Sequence, residues 1–116
     1  GDEAIPHNFI AGPEGVPSFS KRQKKLLGAY KSALLRANPD FQTEHGYPAN
    51  KPGKANLKIG ANWIAECFGC LAMTLEMPFK DVADGSEQRQ GWSPARCLAL
   101  GRSNLDAIHA VLDDLR

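Results

Sequence analysis

Apolar positions in this chain fall into three helical stretches and one extended one. Leu26, Leu27, Tyr30, Leu34 and Leu35 recur at helical spacing and predict a helix over about 19–37. Ser18 or Ser20 suits its start, because a short hydroxyl accepts a bond from a free first-turn N–H. Asn38-Pro39 ends it, since proline disfavours helical geometry in the residue before it. A second helix is predicted over about 57–68, burying Ile64, Phe68 and Trp63, with Gly69 placed to terminate it. Ser93-Pro94 opens a third, with serine as cap and proline at the first helical position. It is predicted over 94–115, with Leu98, Leu105, Ile108, Leu112 and Leu115 as its apolar stripe.

The extended stretch is Leu71-Ala72-Met73-Thr74-Leu75-Glu76-Met77, bounded by Gly69 and Pro78. It predicts a buried strand over 71–77 in the interior of a sheet. Residues 40–47 read as a further strand leading into a loop, and 8–12 as a short extended piece. Prolines and glycines make 1–17 and 48–55 irregular, and 80–92 is polar with Asp84-Gly85 as a turn. There are no internal repeats. Helices alternating with strands imply an α/β layer arrangement. Two or three strands are too few for a sheet covered on both faces, so the rest of the sheet is expected from sequence outside these residues.

Composition narrows the function classes. The 116 residues suit one domain or part of one, and 42% hydrophobic content allows a modest core. The chain lacks an initiator Met, which fits a processed or truncated chain. Fourteen basic and 13 acidic residues give a net charge of +1. That is not the strong positive field of a nucleic-acid binder, so no nucleic-acid partner is expected. No apolar run approaches the roughly 20 residues of a membrane span, so no membrane partner is expected either. Three cysteines, an odd number, do not make a disulfide framework, and a reducing, cytoplasmic setting is the default.

Glu76 is the residue with most chemical content. A carboxylate in a buried strand costs several kcal/mol unless it is paired, hydrogen-bonded or protonated. It is therefore tied into a structural network or held for chemistry.

Thr74-Leu75-Glu76-Met77-Pro78-Phe79 resembles the strand that delivers the catalytic glutamate in zinc metallocarboxypeptidases of the M14 family, most closely the cytosolic carboxypeptidases and their bacterial relatives. Gly1-Asp2-Glu3 with Ile5-Pro6-His7-Asn8-Phe9 resembles the segment after the third zinc-binding histidine in those bacterial relatives. The resemblance implies the C-terminal portion of a single catalytic domain over 1–116, with a three-layer α/β/α mixed sheet. It implies zinc-dependent hydrolysis of C-terminal peptide bonds, with a peptide or protein C-terminus as substrate. Glu76 would be the general base, taking a proton from the attacking water and returning it to the leaving amine. Thr74, two residues away on the same strand face, would line the pocket for the terminal side chain, or else pack as a core threonine. The zinc ligands would lie outside this chain, one just before Gly1 and others upstream. The partner would be the rest of the catalytic domain, and the isolated chain would be inactive. The alternative is a non-catalytic α/β interaction module with Glu76 as a structural acid.

Other residues carry weaker signals. His45, in Glu44-His45-Gly46-Tyr47, is a metal ligand or a hydrogen-bonded loop histidine. His7 lines the mouth of the site or is solvated, and His109 lies on the polar side of the last helix. Cys67-Phe68-Gly69-Cys70 is a CxxC placed at a helix end rather than a helix start, which favours two buried thiols over a redox pair. Lys80 and Asp81 reach a pocket rim or are surface residues, and Asp2 and Glu3 orient metal ligands or are exposed acids. No motif assigns Tyr47 a role. Lys21-Arg22-Gln23-Lys24-Lys25 docks a partner or forms a solvated helix face.

Overall fold

The computed structural model describes residues 4–83 and 91–115. The element order is strand β1 (Phe9–Ala11), helix α1 (Lys21–Ala37), helix α2 (Gly60–Phe68), strand β2 (Thr74–Glu76) and helix α3 (Pro94–Val111), followed by a 3-10 turn at Leu112–Asp114. This is a small α/β arrangement. The strands pair antiparallel, with Phe9 opposite Glu76, Ile10 opposite Leu75 and Ala11 opposite Thr74.

Ser20, not Ser18, caps α1, so the helix starts two residues later than its apolar spacing predicts. The Ser20 hydroxyl accepts from Gln23 N at 3.1 Å, and the Gln23 side chain accepts from Ser20 N at 2.8 Å. This reciprocal box satisfies two first-turn donors. Gln23 is fully buried and its amide also donates to Ala65 O and Cys70 O. The neutral residue inside the basic run therefore ties α1 to the end of α2, while its cationic neighbours are exposed. Leu26, Leu27, Tyr30, Ala33 and Leu34 then form the buried face, and Leu35 points out.

That face packs against α3, and here the expected stripe is wrong. Leu98 and Leu105 are 67% and 66% exposed, and Ile108, Leu112 and Leu115 are also exposed. The buried positions are Arg96, Leu100, Ser103, Ala107 and Val111, which recur at the same period on another face. Small residues there let two helices approach closely. The polar ones are satisfied: Ser103 Oγ donates to the α3 carbonyl of Ala99 at 2.9 Å and accepts from Asn38 Nδ2 at 3.0 Å. Ser93 and Pro94 open α3 as expected.

The second helix is shorter than expected. It begins at Gly60, and Asn56 and Asn62 side chains organise the turn before it. Gly69 ends it in the left-handed conformation at φ 60°. Only Asn62 and Ala65 are buried on it; Trp63, Ile64 and Phe68 are exposed, against expectation. Its Ala61 and Ile64 line an apolar groove of about 660 Å³ together with Met73 and Ile108.

Residues 40–47 do not form the expected strand. A single parallel bridge joins Phe41 to Asn8, and the chain then turns. The cause is Gln42, whose side-chain carbonyl accepts from Glu44 N at 2.8 Å and His45 N at 2.6 Å. A side chain that captures two successive N–H groups offers the backbone an alternative to a ladder. The Asp84-Gly85 turn lies outside the described residues.

Candidate functional site

The strand carrying Glu76 is shorter than 71–77 and is not buried on both faces. Its side chains alternate. Leu71, Met73, Leu75 and Met77 pack against the hydrophobic core, whereas Thr74 is exposed and Glu76 is half-buried. Strand geometry sends successive side chains to opposite faces, so Thr74 and Glu76 look together into one open groove of about 510 Å³. Thr74 is therefore not a core residue. The chain reaches from Leu71 to Met73 without ladder bonds, because β1 is only three residues long.

The opposite wall of the groove is the 42–50 loop. The amide of Gln42 donates to Asn8 O and to His45 O, each at 3.0 Å, which fastens the loop to the residue preceding β1. Gly46 lies against Phe9: a Cβ there would stand 3.0 Å from the Phe9 ring. Tyr47 meets the Phe9 ring edge-on with centroids 4.9 Å apart. His45 stacks on His7 at 4.1 Å and 18°. Phe9, the cross-strand partner of Glu76, thus carries the loop that faces Glu76.

A buried polar network sits behind β1. Asp40 accepts from Arg96 through both oxygens, at 2.9 Å from Nε and 2.7 Å from Nη2. Arg96 Nη1 also donates to Gly91 O at 2.7 Å, and its guanidinium lies 5.3 Å from the Trp92 ring centroid. The Asp40 carbonyl accepts from Asn8 Nδ2 at 3.0 Å, and Asn38 Oδ1 accepts from Asp40 N at 2.9 Å. Asn8 is fully buried. The N-terminus of α3, the turn after α1 and the start of β1 are thereby joined.

No cluster of three or more His, Cys, Asp or Glu able to hold a metal occurs among the described residues. His7 and His45 meet face to face as stacked rings, and no third metal-ligating side chain joins them among the described residues. The residues present do not fit a zinc centre by themselves. His45 is an exposed loop residue and His109 is exposed on α3. Cys67 is exposed and Cys70 half-buried, so the expected pair of buried thiols is not found. Cys67 lies on the exposed outer face of α2, and Cys70 follows the helix end at Gly69. Lys80 and Asp81 are exposed and do not line the groove. Asp2 and Glu3 lie outside the described residues. Sequence reasoning missed Gln42, Asp40, Arg96 and the Glu14–Lys31 pair at 3.2 Å, which also lines the groove. None of these carried a spacing signal.

No protein-family model matches the chain. Solved structures do. A metallo-carboxypeptidase from Pseudomonas aeruginosa, in complex with (2-guanidinoethylmercapto)succinic acid, is 43% identical with a TM-score of 0.94, over 100% of this chain and 31% of that one. One from Burkholderia cenocepacia is 46% identical with a TM-score of 0.87, over 97% of this chain and 30% of that one. An uncharacterized protein of Zymomonas mobilis is 46% identical over 115 residues, 99% of this chain and 30% of that protein. This chain therefore matches one portion of a metallo-carboxypeptidase. It spans about 30% of the length of the proteins it resembles.

Proposed function

We propose that these residues form the C-terminal portion of the catalytic domain of a zinc-dependent carboxypeptidase of the M14 type, of the cytosolic subfamily, and that Glu76 is its general base. The observation that carries the reading is the TM-score of 0.94 at 43% identity to the P. aeruginosa metallo-carboxypeptidase. The alternation along β2 supports the role of Glu76, because it sets the carboxylate on the wall of an open groove instead of in the core.

In this reading a peptide C-terminus lies in the groove. Glu76 takes a proton from the attacking water and returns it to the leaving amine. The strand holds the carboxylate and the core residues Leu75 and Met77 hold the strand, so the base has little freedom to move. Thr74 contacts the terminal side chain from the same face. Zinc supplies Lewis-acid chemistry in such enzymes. The described residues give it no ligand set, so its ligands belong to other parts of the longer protein. The exposed apolar residues of α2 and α3 are where the rest of the domain packs. Three unpaired cysteines suit a reducing, cytoplasmic setting. No helix among the described residues is long and apolar enough to cross a membrane.

The test is Glu76→Gln in the longer, zinc-loaded protein. Turnover of a peptide substrate is expected to fall about 10²–10⁴-fold, the contribution of a positioned acid–base group. Zinc content and folding are expected to stay unchanged. Retained turnover with reduced stability would return Glu76 to a structural role.

A further inference from the structure

Cys67 and Cys70 are nucleophiles to which the reaction at Glu76 gives no task. Cys67 is exposed in the last turn of α2, and Cys70 is half-buried just past the helix end. Gly69 stands between them in the left-handed conformation, which turns the chain back on the helix. Two contacts show the reversal. Cys70 Sγ reaches Ile64 O at 3.9 Å. The buried amide of Gln23 donates to Ala65 O at 3.2 Å and to Cys70 O at 3.1 Å, so carbonyls from either side of Cys67 are gathered on one nitrogen. Ile64 and Cys67 are three residues apart, which makes them neighbours on the helix surface. Cys70 is thereby folded against the turn that bears Cys67.

Little else holds this end of α2. The helix has nine residues, of which only Asn62 and Ala65 are buried. Its closing bond, Gly69 N to Ala65 O at 2.9 Å, lies where helices fray. A covalent link from Cys67 to Cys70 would enclose Gly69 and tie the last turn to the residue after it. The position at a helix end argues against a catalyst of thiol exchange, which uses a helix start, but not against a disulfide. Exposed disulfides are the readily reduced, regulatory kind.

We infer that Cys67 and Cys70 form a reversible oxidation site, a dithiol that closes to a disulfide on meeting a low-molecular-weight disulfide and so clamps the end of α2. The Cys67 thiolate attacks one sulfur of glutathione disulfide, whose S–S bond breaks as one glutathione leaves. Cys70 sulfur, having given its proton to water, then attacks Cys67 sulfur, and the second glutathione leaves as a thiolate that takes up a proton. Two protein thiols are oxidised, and one glutathione disulfide is reduced to two thiols. The third cysteine, Cys97, stands apart beside Met77 Sδ at 3.9 Å. The site is independent of the reaction at Glu76.

The experiment incubates the longer, folded protein with glutathione disulfide and follows intact mass, peptide maps and amide exchange. The wild type is expected to lose two hydrogens with a Cys67–Cys70 link, and dithiothreitol is expected to restore them. Cys97→Ser is expected to behave alike. Cys70→Ser is expected to stop at the mixed disulfide, with one glutathione on Cys67. Cys67→Ser is expected to take up glutathione at Cys70 roughly tenfold more slowly, because that thiol is half-buried. Exchange at the Gly69 amide is expected to slow in the linked protein. Three results each overturn the inference. One is that neither thiol reacts in the folded protein. Another is that the wild type keeps glutathione on Cys67 without closing, or links through Cys97. The last is a Cys67–Cys70 link that leaves Gly69 exchange unchanged.

Discussion

Substituting Asp40 by alanine removes one half of the Arg96 pair and leaves the other half buried. The side chains of Arg96 and Asp40 are only 9% and 13% exposed, and both carboxylate oxygens are engaged. Solvent cannot replace the lost partner easily. Gly91 O and the Trp92 ring are among the contacts that remain, and neither carries the charge of the lost carboxylate. Breaking a buried pair by removing one partner costs about 3–5 kcal/mol. With a urea slope of about 1–3 kcal/mol per molar, the unfolding midpoint should fall by at least about 1 M. The double variant Asp40→Leu with Arg96→Met should recover most of that loss, since well-packed apolar replacements of buried pairs are often neutral or stabilising.

The assay is urea unfolding followed by circular dichroism on the wild type, both single variants and the double variant. The half-buried Glu14–Lys31 pair, open to the groove, is an internal control, because bridges that reach solvent contribute about 0–1 kcal/mol. A midpoint shift for Asp40→Ala below about 0.3 M, the size expected of such a surface bridge, would refute the reasoning. A double variant as unstable as the single one would show that packing, and not an orphaned charge, sets the cost.

Three further outcomes follow from other contacts. Ser20→Ala should lose about 0.5–2 kcal/mol, read from the same unfolding curves, because it removes one half of a reciprocal cap. Gln42→Leu should raise amide hydrogen exchange at Glu44 and His45 while leaving α1 protected, since it releases the N–H groups that Gln42 holds and the loop's side-chain tie to Asn8 but no contact of α1. Burial raises the Tyr30 pKa above its ordinary 10.0, so its contribution to stability is complete below about pH 10 and is lost as pH rises through the folded-state value. Tyr30→Phe should flatten that alkaline loss in pH-dependent unfolding.

The sequence was most readable where one residue type decides a local structure. Ser93-Pro94 and Gly69 mark helix ends through backbone geometry alone, and both fell where expected. The apolar period of α1 was legible because its large residues share one face. It failed on α3, where Leu98, Leu105 and Ile108 lie on the exposed face and the buried one mixes Leu100 and Val111 with Ala107, Ser103 and Arg96. Burial of Arg96 depends on Asp40, 56 residues away, and no local pattern encodes such a partner. The 40–47 error has the same origin, because propensity does not foresee a glutamine that takes the strand's own N–H groups. Glu76 and Thr74 were singled out by resemblance of a short motif, whereas Glu14 and Lys31, which line the same groove, belong to no motif.

The placement of Glu76 depends on interactions made by its neighbours. Leu75 and Met77 are held by the core on one face of β2. Pairing with β1 then fixes Glu76 opposite Phe9. β1 itself has three residues, too few to be stable as an isolated strand. It is held at its start by Asn8, which donates to the Asp40 carbonyl, while Asp40 is clamped by Arg96 on α3. Gln42 adds a second tie from the loop to the Asn8 carbonyl. The position of the carboxylate is therefore set by a chain of contacts from α3 through Asp40 and Asn8 to Phe9. Loosening Asp40 should shift Glu76 although the two residues lie on different elements. That accounts for a dense buried polar network in a region whose hydrophobic core is modest.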